Sequence, residues 1–190
     1  MDQLIKYLHT FEPLTAPFIA ALTREVIPVT YGKDHTLVDL ARVSDHAYFL
    51  NSGAAMSYRF IKGQKHIEEF FGAEFIVVSP KSFFERVPSI EGIVLLEESK
   101  VLQMHFDGVM KLMRNFPEAN SLCRAVMNVY YEQSRSRIHD FQYLSALERY
   151  AKLHARFPRI EQLAPQDHIA SYLGILPQSL SRIRRDHEGF

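Results

Sequence analysis

A chain of 190 residues, 47% of them hydrophobic, carries enough apolar side chain for one large core or two small ones and does not have the composition of a disordered protein. Lysine and arginine together number 22, as do aspartate and glutamate, so the molecule as a whole has no electrostatic bias toward nucleic acid, a membrane surface or acidic partners, and any such attraction must be local. Its one cysteine, Cys123, excludes an internal disulfide, a multi-cysteine zinc site and a cysteine-ligated iron–sulfur cluster.

The opening segment, MDQLIKYLHTFEPL, lacks the basic-then-apolar pattern of a secretion signal, and no run approaches the roughly 18 apolar residues of a membrane span. A cytoplasmic protein with no membrane partner is expected. Asp2 to Leu22 predicts one or two short helices. From about Phe18 to Phe106 the chain reads as short strands broken by turns: EVIPVTY, HAYFLNSG, AMSYRFI, EFIVVS and GIVLLEESKVLQM. Ala47 to Leu50 and Ser57 to Ile61 are rich in Tyr, Phe and Ile, while Gly32, Gly53, Gly63, Gly72 and Gly92 punctuate the stretch. An antiparallel barrel or jelly roll over residues 1–106 is the predicted architecture.

After Phe106 glycine is nearly absent until Gly174 and the pattern becomes helical. Pro117 suits the first position of a helix. From there Ala119, Cys123, Val126, Tyr130, Gln133 and Arg137 recur at alternating spacings of four and three, the pattern of a seam that pairs with a symmetry mate. A second stripe through Leu122, Val126 and Val129 gives the same helix a face to lay on its own barrel. The dimer reading places Ala119, Cys123, Val126, Tyr130 and Gln133 in the interface, with Cys123 as a small buried hydrophobe. These helices, 107–140, link the barrel to a third unit, 141–190. There Ser145 and Glu148 form a capping box opening a helix that ends at Phe157, before Pro158.

The most informative segment is HIASYLGILPQSLSRIRR, His168 to Arg185. Pro165 can open a first helix with Ile169, Ala170 and Leu173 on its apolar face, and Gly174 supplies the left-handed conformation that ends it. Pro177 begins a second helix, with Leu180 and Ile183 inward and Gln178, Ser179, Ser181, Arg182 and Arg185 outward. Small Ala170, Gly174 and buried Leu180 stand where a helix-turn-helix needs them. On the outward face Arg182 can take guanine O6 and N7 in bidentate fashion, Gln178 can read adenine, and Ser179 or Ser181 can hold phosphates. Double-stranded DNA is the expected partner. From Ile138 to Phe190 there are seven Lys or Arg against six Asp or Glu, 7 − 6 = +1, so non-specific affinity is expected to be weak.

On IASYLGI (Ile169 to Ile175), LSRIRR (Leu180 to Arg185) and the preceding ERY (Glu148 to Tyr150), the chain resembles the Crp/Fnr family of bacterial transcription regulators. The resemblance implies an α+β protein: a cyclic-nucleotide-binding-like β-roll, a long dimerisation helix and a C-terminal helix-turn-helix. It implies a homodimer, and admits RNA polymerase as a further partner. Cyclic-AMP-binding members carry a Gly-Glu pair after an F-I-like strand and an Arg-Ser pair before the next one. Here Phe75 and Ile76 are followed by Val77 and Val78, and the second position falls near Ser89 and Ile90, with Arg86 offset by three residues. Cyclic AMP is therefore not expected as effector. Only Asp186 to Phe190 follow the second helix, so no β-hairpin wing is evident.

Three readings stand at this point: a DNA-binding regulator whose β-roll senses an unidentified effector, one whose roll is a ligand-free scaffold, and a cyclic-nucleotide-binding-like module that regulates a protein partner. An enzyme is not expected, since the sequence has no P-loop, G-x-S-x-G, H-E-x-x-H or Cys-His constellation. The nine histidines are scattered without metal-ligand spacing, so neither a metal nor another cofactor is implied.

Overall fold

The computed structural model describes residues 1–188. Two amphipathic helices come first, α1 (Asp2–His9) and α2 (Ala16–Glu25), the latter capped by the Thr15 hydroxyl, which accepts from the Phe18 N–H. Leu4, Leu8, Phe18 and Leu22, spaced at four residues along each helix, are the side chains they bury.

Eight strands follow: β1 (Val26–Tyr31), β2 (Thr36–Val38), β3 (His46–Ser52), β4 (Ala55–Ile61), β5 (Gln64–Phe71), β6 (Phe75–Val77), β7 (Gly92–Leu95) and β8 (Ser99–His105), with a short helix α3 (Pro80–Glu85) between β6 and β7. They form two antiparallel four-stranded sheets, β1-β8-β3-β6 and β2-β7-β4-β5. This is the expected jelly roll, with three local differences. The segment GIVLLEESKVLQM is two strands in different sheets. Its corner is held by the Ser99 hydroxyl donating to the Glu97 carbonyl (2.9 Å), and Gly53 packs so close that a Cβ there would overlap Ser99. The segment after Phe75-Ile76-Val77 turns into α3, which ends on left-handed Arg86 (φ 55°). Finally, β5 and the short β2 join the strands read from sequence.

Helix α4 (Phe106–Asn115) leads into the 27-residue α5 (Pro117–Tyr143), which begins at Pro117 as expected and runs three residues past 140. The C-terminal helices are α6 (Ala146–Arg156), α7 (Ile160–Leu163), α8 (Gln166–Leu173) and α9 (Pro177–Glu188). The capping box on α6 is complete: the Ser145 hydroxyl accepts from the Glu148 N–H (3.3 Å) and the Glu148 carboxylate accepts from the Ser145 N–H (2.7 Å). No helix among the described residues is long and apolar enough to cross a membrane.

The layers follow from strand alternation. Along β3, Tyr48 and Leu50 point between the sheets to meet Val38, Phe71 and Ile93, while Phe49 points out to Leu4, Leu22 and Leu122 under the N-terminal helices and α5. On the second sheet the outward side chains Met56, Ile67 and Phe70 form one continuous core with Tyr150, Leu153, Phe157, Ile169 and Leu173 of the C-terminal helices. Those helices thus rest on the roll of their own chain. A bulge makes this contact possible: Tyr58 pairs with Ile67 and Ser57 with Glu69, leaving Glu68 unpaired. That extra residue resets the alternation, so Ile67 and Phe70 share a face.

Candidate nucleic-acid interface and effector cleft

Helices α8 and α9 form the helix-turn-helix read from the sequence. The first ends at Gly174 in the left-handed conformation (φ +67°), whose N–H is satisfied by carbonyls of Ala170 and Ser171. Its missing side chain also matters, since a Cβ there would lie 2.6 Å from the Phe141 ring of α5. Ile169, Ala170, Leu173 and Leu180 are fully buried or nearly so, and Ile183 is buried beside them. On the opposite side Gln178, Ser181, Arg182 and Arg185 are exposed and Ser179 is half-buried, which leaves a polar, doubly cationic strip open to solvent. Arg184, on the other hand, is turned inward and ion-pairs with Glu161 of α7, its Nε donating at 2.8 Å. The same carboxylate accepts from the Tyr150 hydroxyl (2.8 Å), so this arginine positions α9 and does not belong to the strip.

Several positioning residues have roles that the sequence reading did not assign. Arg149, the middle residue of ERY, donates Nε and Nη2 to the Leu173 carbonyl (3.2 and 3.0 Å) and Nη1 to that of Leu144 (2.7 Å), closing the open C-termini of α8 and α5 with one side chain. Arg137 of α5 donates to the Tyr172 carbonyl (2.9 Å) and lies over the Tyr172 ring at 4.0 Å. Ser171 accepts from the Ile67 N–H (3.0 Å), and Arg156 donates to the Phe70 carbonyl and pairs with Glu69, both at 3.1 Å. Together these tie α8 to α5 and both α6 and α8 to β5.

The five residues read as a dimer seam all lie on the α5 face turned to the chain's own roll. Ala119 and Val126 are buried there, Cys123 is half-buried with its thiol pKa raised by burial, and Gln133 borders a cleft. Tyr130 accepts from the Val78 N–H (3.1 Å) and donates to the Ile76 carbonyl (2.9 Å), with its ring against Phe71 and Phe75; burial pushes its pKa far up. The outer face of α5 carries a different stripe, Met127, Tyr131, Ser134 and Ile138, again at spacings of four and three, with Tyr131 and Ile138 both 58% exposed.

The cleft between β4, β5, α5 and α8 measures about 720 Å3 and mixes charge with aromatic surface: Arg59, Glu68, Glu91, Tyr130, Arg137 and Phe141. Arg59 and Glu68 pair across the hairpin at 2.8 Å. Of the positions matched to the cyclic-phosphate cassette, Val78 is buried with its N–H held by Tyr130, and Ser89 is buried with its hydroxyl donating to the Glu91 carbonyl (2.7 Å). Arg86 is engaged elsewhere, by the Asp45 carboxylate, the Ser44 carbonyl (2.7 Å) and the face of Phe106.

Glu91 is half-buried and its carboxyl accepts from the Ser79 hydroxyl (2.7 Å). Burial raises its pKa, a shift that the Ser79 bond only partly offsets. The fold favours the protonated acid, so its contribution to stability is fully present below the ordinary carboxyl value of 4.5 and is lost as pH rises through the higher folded value. Glu91→Gln keeps the acceptor and cannot ionise. Its melting temperature relative to the parent should climb as pH rises from acid and then level off; a difference independent of pH would contradict this assignment.

Neither a family model nor any curated protein matches the sequence. Solved structures do. FixK2 from Bradyrhizobium japonicum superposes with a TM-score of 0.73 at 16% identity over 86% of this chain and 85% of its own. CLP from Xanthomonas campestris, described as a c-di-GMP-responsive global regulator, gives 0.69 at 10% identity over 92% of each chain. The fold is that of the Crp/Fnr regulators. A CooA variant from Carboxydothermus hydrogenoformans shares it over 98% of this chain and 84% of its own, with a TM-score of 0.68 at 15% identity. The Crp/Fnr fold is present here as β-roll, long helix and helix-turn-helix in that order.

Proposed function

We propose that the protein is a sequence-specific DNA-binding transcription regulator of Crp/Fnr type, acting as a homodimer, with α9 as the recognition helix. The observation that carries this reading is the exposed strip of Gln178, Ser181, Arg182 and Arg185, with Ser179 at its edge, on a helix whose other face is locked by Leu180, Ile183 and the Arg184–Glu161 pair. Selection of bound duplexes from a random pool should enrich one motif with two related half-sites. The protein should bind it at least about a thousandfold more tightly than unselected duplex at the same salt. No enrichment after repeated rounds would sink the reading.

Two recognition helices about one DNA turn apart require two copies. The face proposed to pair them is the outward stripe of α5, Met127, Tyr131, Ser134 and Ile138. Ile138→Glu places a like charge on both helices of such a seam and is expected to shift light scattering from dimer to monomer at micromolar concentration, with the melting of the isolated chain little changed. A variant that stays dimeric would move the interface elsewhere.

The cleft is roomy enough for a small effector. Cyclic AMP is not the effector expected, because the positions matched to its ribose and phosphate partners are the uncharged Val78 and Ser89. Removing one partner of a buried charge pair costs about 2–5 kcal/mol. A melt with about millimolar cyclic AMP should show no upward shift beyond that given by AMP.

A further inference from the structure

The packing between the N-terminal helices and the outer face of the first sheet is incomplete. There α1, α2, α4 and α5 line, against β3, β6 and β8, a cavity of about 130 Å3 that is open on one side. Its floor is Leu8, Phe18, Leu22, Leu102 and Leu112, all buried. At its rim the half-buried side chains are Phe84, Val109, Met113, Cys123 and Met127. It shares only Val78 with the residues lining the cleft described above and opens between α3, α4 and α5.

The lining determines what can enter. Its side chains are hydrocarbon or thioether apart from the Cys123 thiol and Tyr48, whose hydroxyl donates to the Leu37 carbonyl (2.9 Å). Water needs two to four polar partners and would find none, and a charged or strongly polar ligand would be stranded without hydrogen bonds. Native cores contain few voids larger than a water, and an empty one destabilises in proportion to its volume. The walls are tied to one another at their edges, α2 to α4 by the Lys111–Glu25 ion pair (2.6 Å) and α2 to α5 by the Thr15 hydroxyl donating to Glu118 (2.6 Å). Apolar cavities of on the order of 150 Å3 stay dry and take benzene or xenon.

We propose that this cavity is a binding site for an uncharged apolar small molecule, up to about the size of toluene, distinct from the cleft and independent of the DNA-binding reading. Met104, Met113 and Met127 on its walls offer an adaptable surface and sulfur–aromatic contacts, which favours an aromatic occupant. A second copy of the chain could cover the rim beside Met127, but the floor residues Leu8, Phe18, Leu22, Leu102 and Leu112 are already buried within the chain itself.

The test uses the full chain, toluene as probe and benzoate as the charged control with the same ring. Alkylation of Cys123 by N-ethylmaleimide should slow by about tenfold at ten times the toluene dissociation constant, since only the unoccupied fraction reacts. The melting temperature should rise with toluene, and benzoate should do neither. Cys123→Phe, which fills the rim, and Ala119→Leu, which fills the wall, should melt at a temperature insensitive to toluene; either variant suffices if the other fails to fold. The proposal is overturned by any of three results: no protection or shift up to the aqueous solubility of toluene, equal protection by benzoate, or an undiminished toluene shift in the filled variants. It is equally overturned if protection grows with protein concentration and toluene adds nothing, which would make the rim an interface between copies.

Discussion

Phe70→Ala is expected to lower the stability of the chain by about 3–5 kcal/mol, the largest effect of any single truncation proposed for it. Phe70 is 0% exposed and stands on β5 where the roll meets the C-terminal helices, its ring 5.0 Å from that of Tyr172 and 6.3 Å from that of Phe157. Truncation removes the transfer free energy of the ring and leaves a void between two elements that are held apart by other contacts, the Arg156–Glu69 pair and the Ser171–Ile67 hydrogen bond among them. For a chain of this length the expected fall in melting temperature is about 6–20 °C. Circular dichroism would record it. Because the core containing Phe70 belongs to both the sheet and the helix-turn-helix, the parent should melt in one transition. A loss below about 1 kcal/mol would mean that the C-terminal helices do not rest on β5 in solution.

Arg182→Ala should weaken binding to a selected duplex by about 1–3 kcal/mol, roughly five- to 150-fold, and relax the preference at one base pair of each half-site. Arg182 is exposed one residue before the buried Ile183, so its guanidinium is free to reach a base edge while the helix stays seated. Arg185→Ala should instead weaken all duplexes alike and reduce the salt slope by about one if that side chain meets a phosphate. Anisotropy titrations at two salt concentrations separate the two behaviours. Small, equal losses on every sequence from both variants would remove α9 from the groove.

The parts of the fold that were legible in the sequence are those fixed by local chemistry. Gly174, Pro177 and the Ser145–Glu148 box each act on their immediate neighbours, so the helix ends they mark lie where expected. Leu180 and Ile183 were legible because helical periodicity alone sets which side is buried. Other features depended on contacts between residues far apart in sequence. The strand β5, QKHIEEFF, shows no alternation because the bulge at Glu68 resets it, and Glu69 is tolerated there because Arg156, 87 residues further on, pairs with it. On α5, Ala119 to Gln133 form a seam of the right period, but period does not say whether the opposing surface is a partner or the chain's own sheet. Here the hydroxyl of Tyr130 finds the backbone of Ile76 and Val78. The sequence does not show what Arg137, Arg149 and Glu161 do in holding the helix-turn-helix in place, because their partners are carbonyls and side chains of other helices.

Tyr130 and Arg137 lie two turns apart on one face of α5, about 10 Å along its axis. The first is bonded to the roll and the second to α8. The helix between them is a spacer whose phase and length are both fixed. Inserting one residue would swing Arg137 about 100° away from Tyr172, whereas inserting seven would restore the phase but carry α8 about 10 Å past β5. Natural variation in this stretch should accordingly appear as substitutions at outward positions such as Tyr131 and Arg135, and not as insertions or deletions.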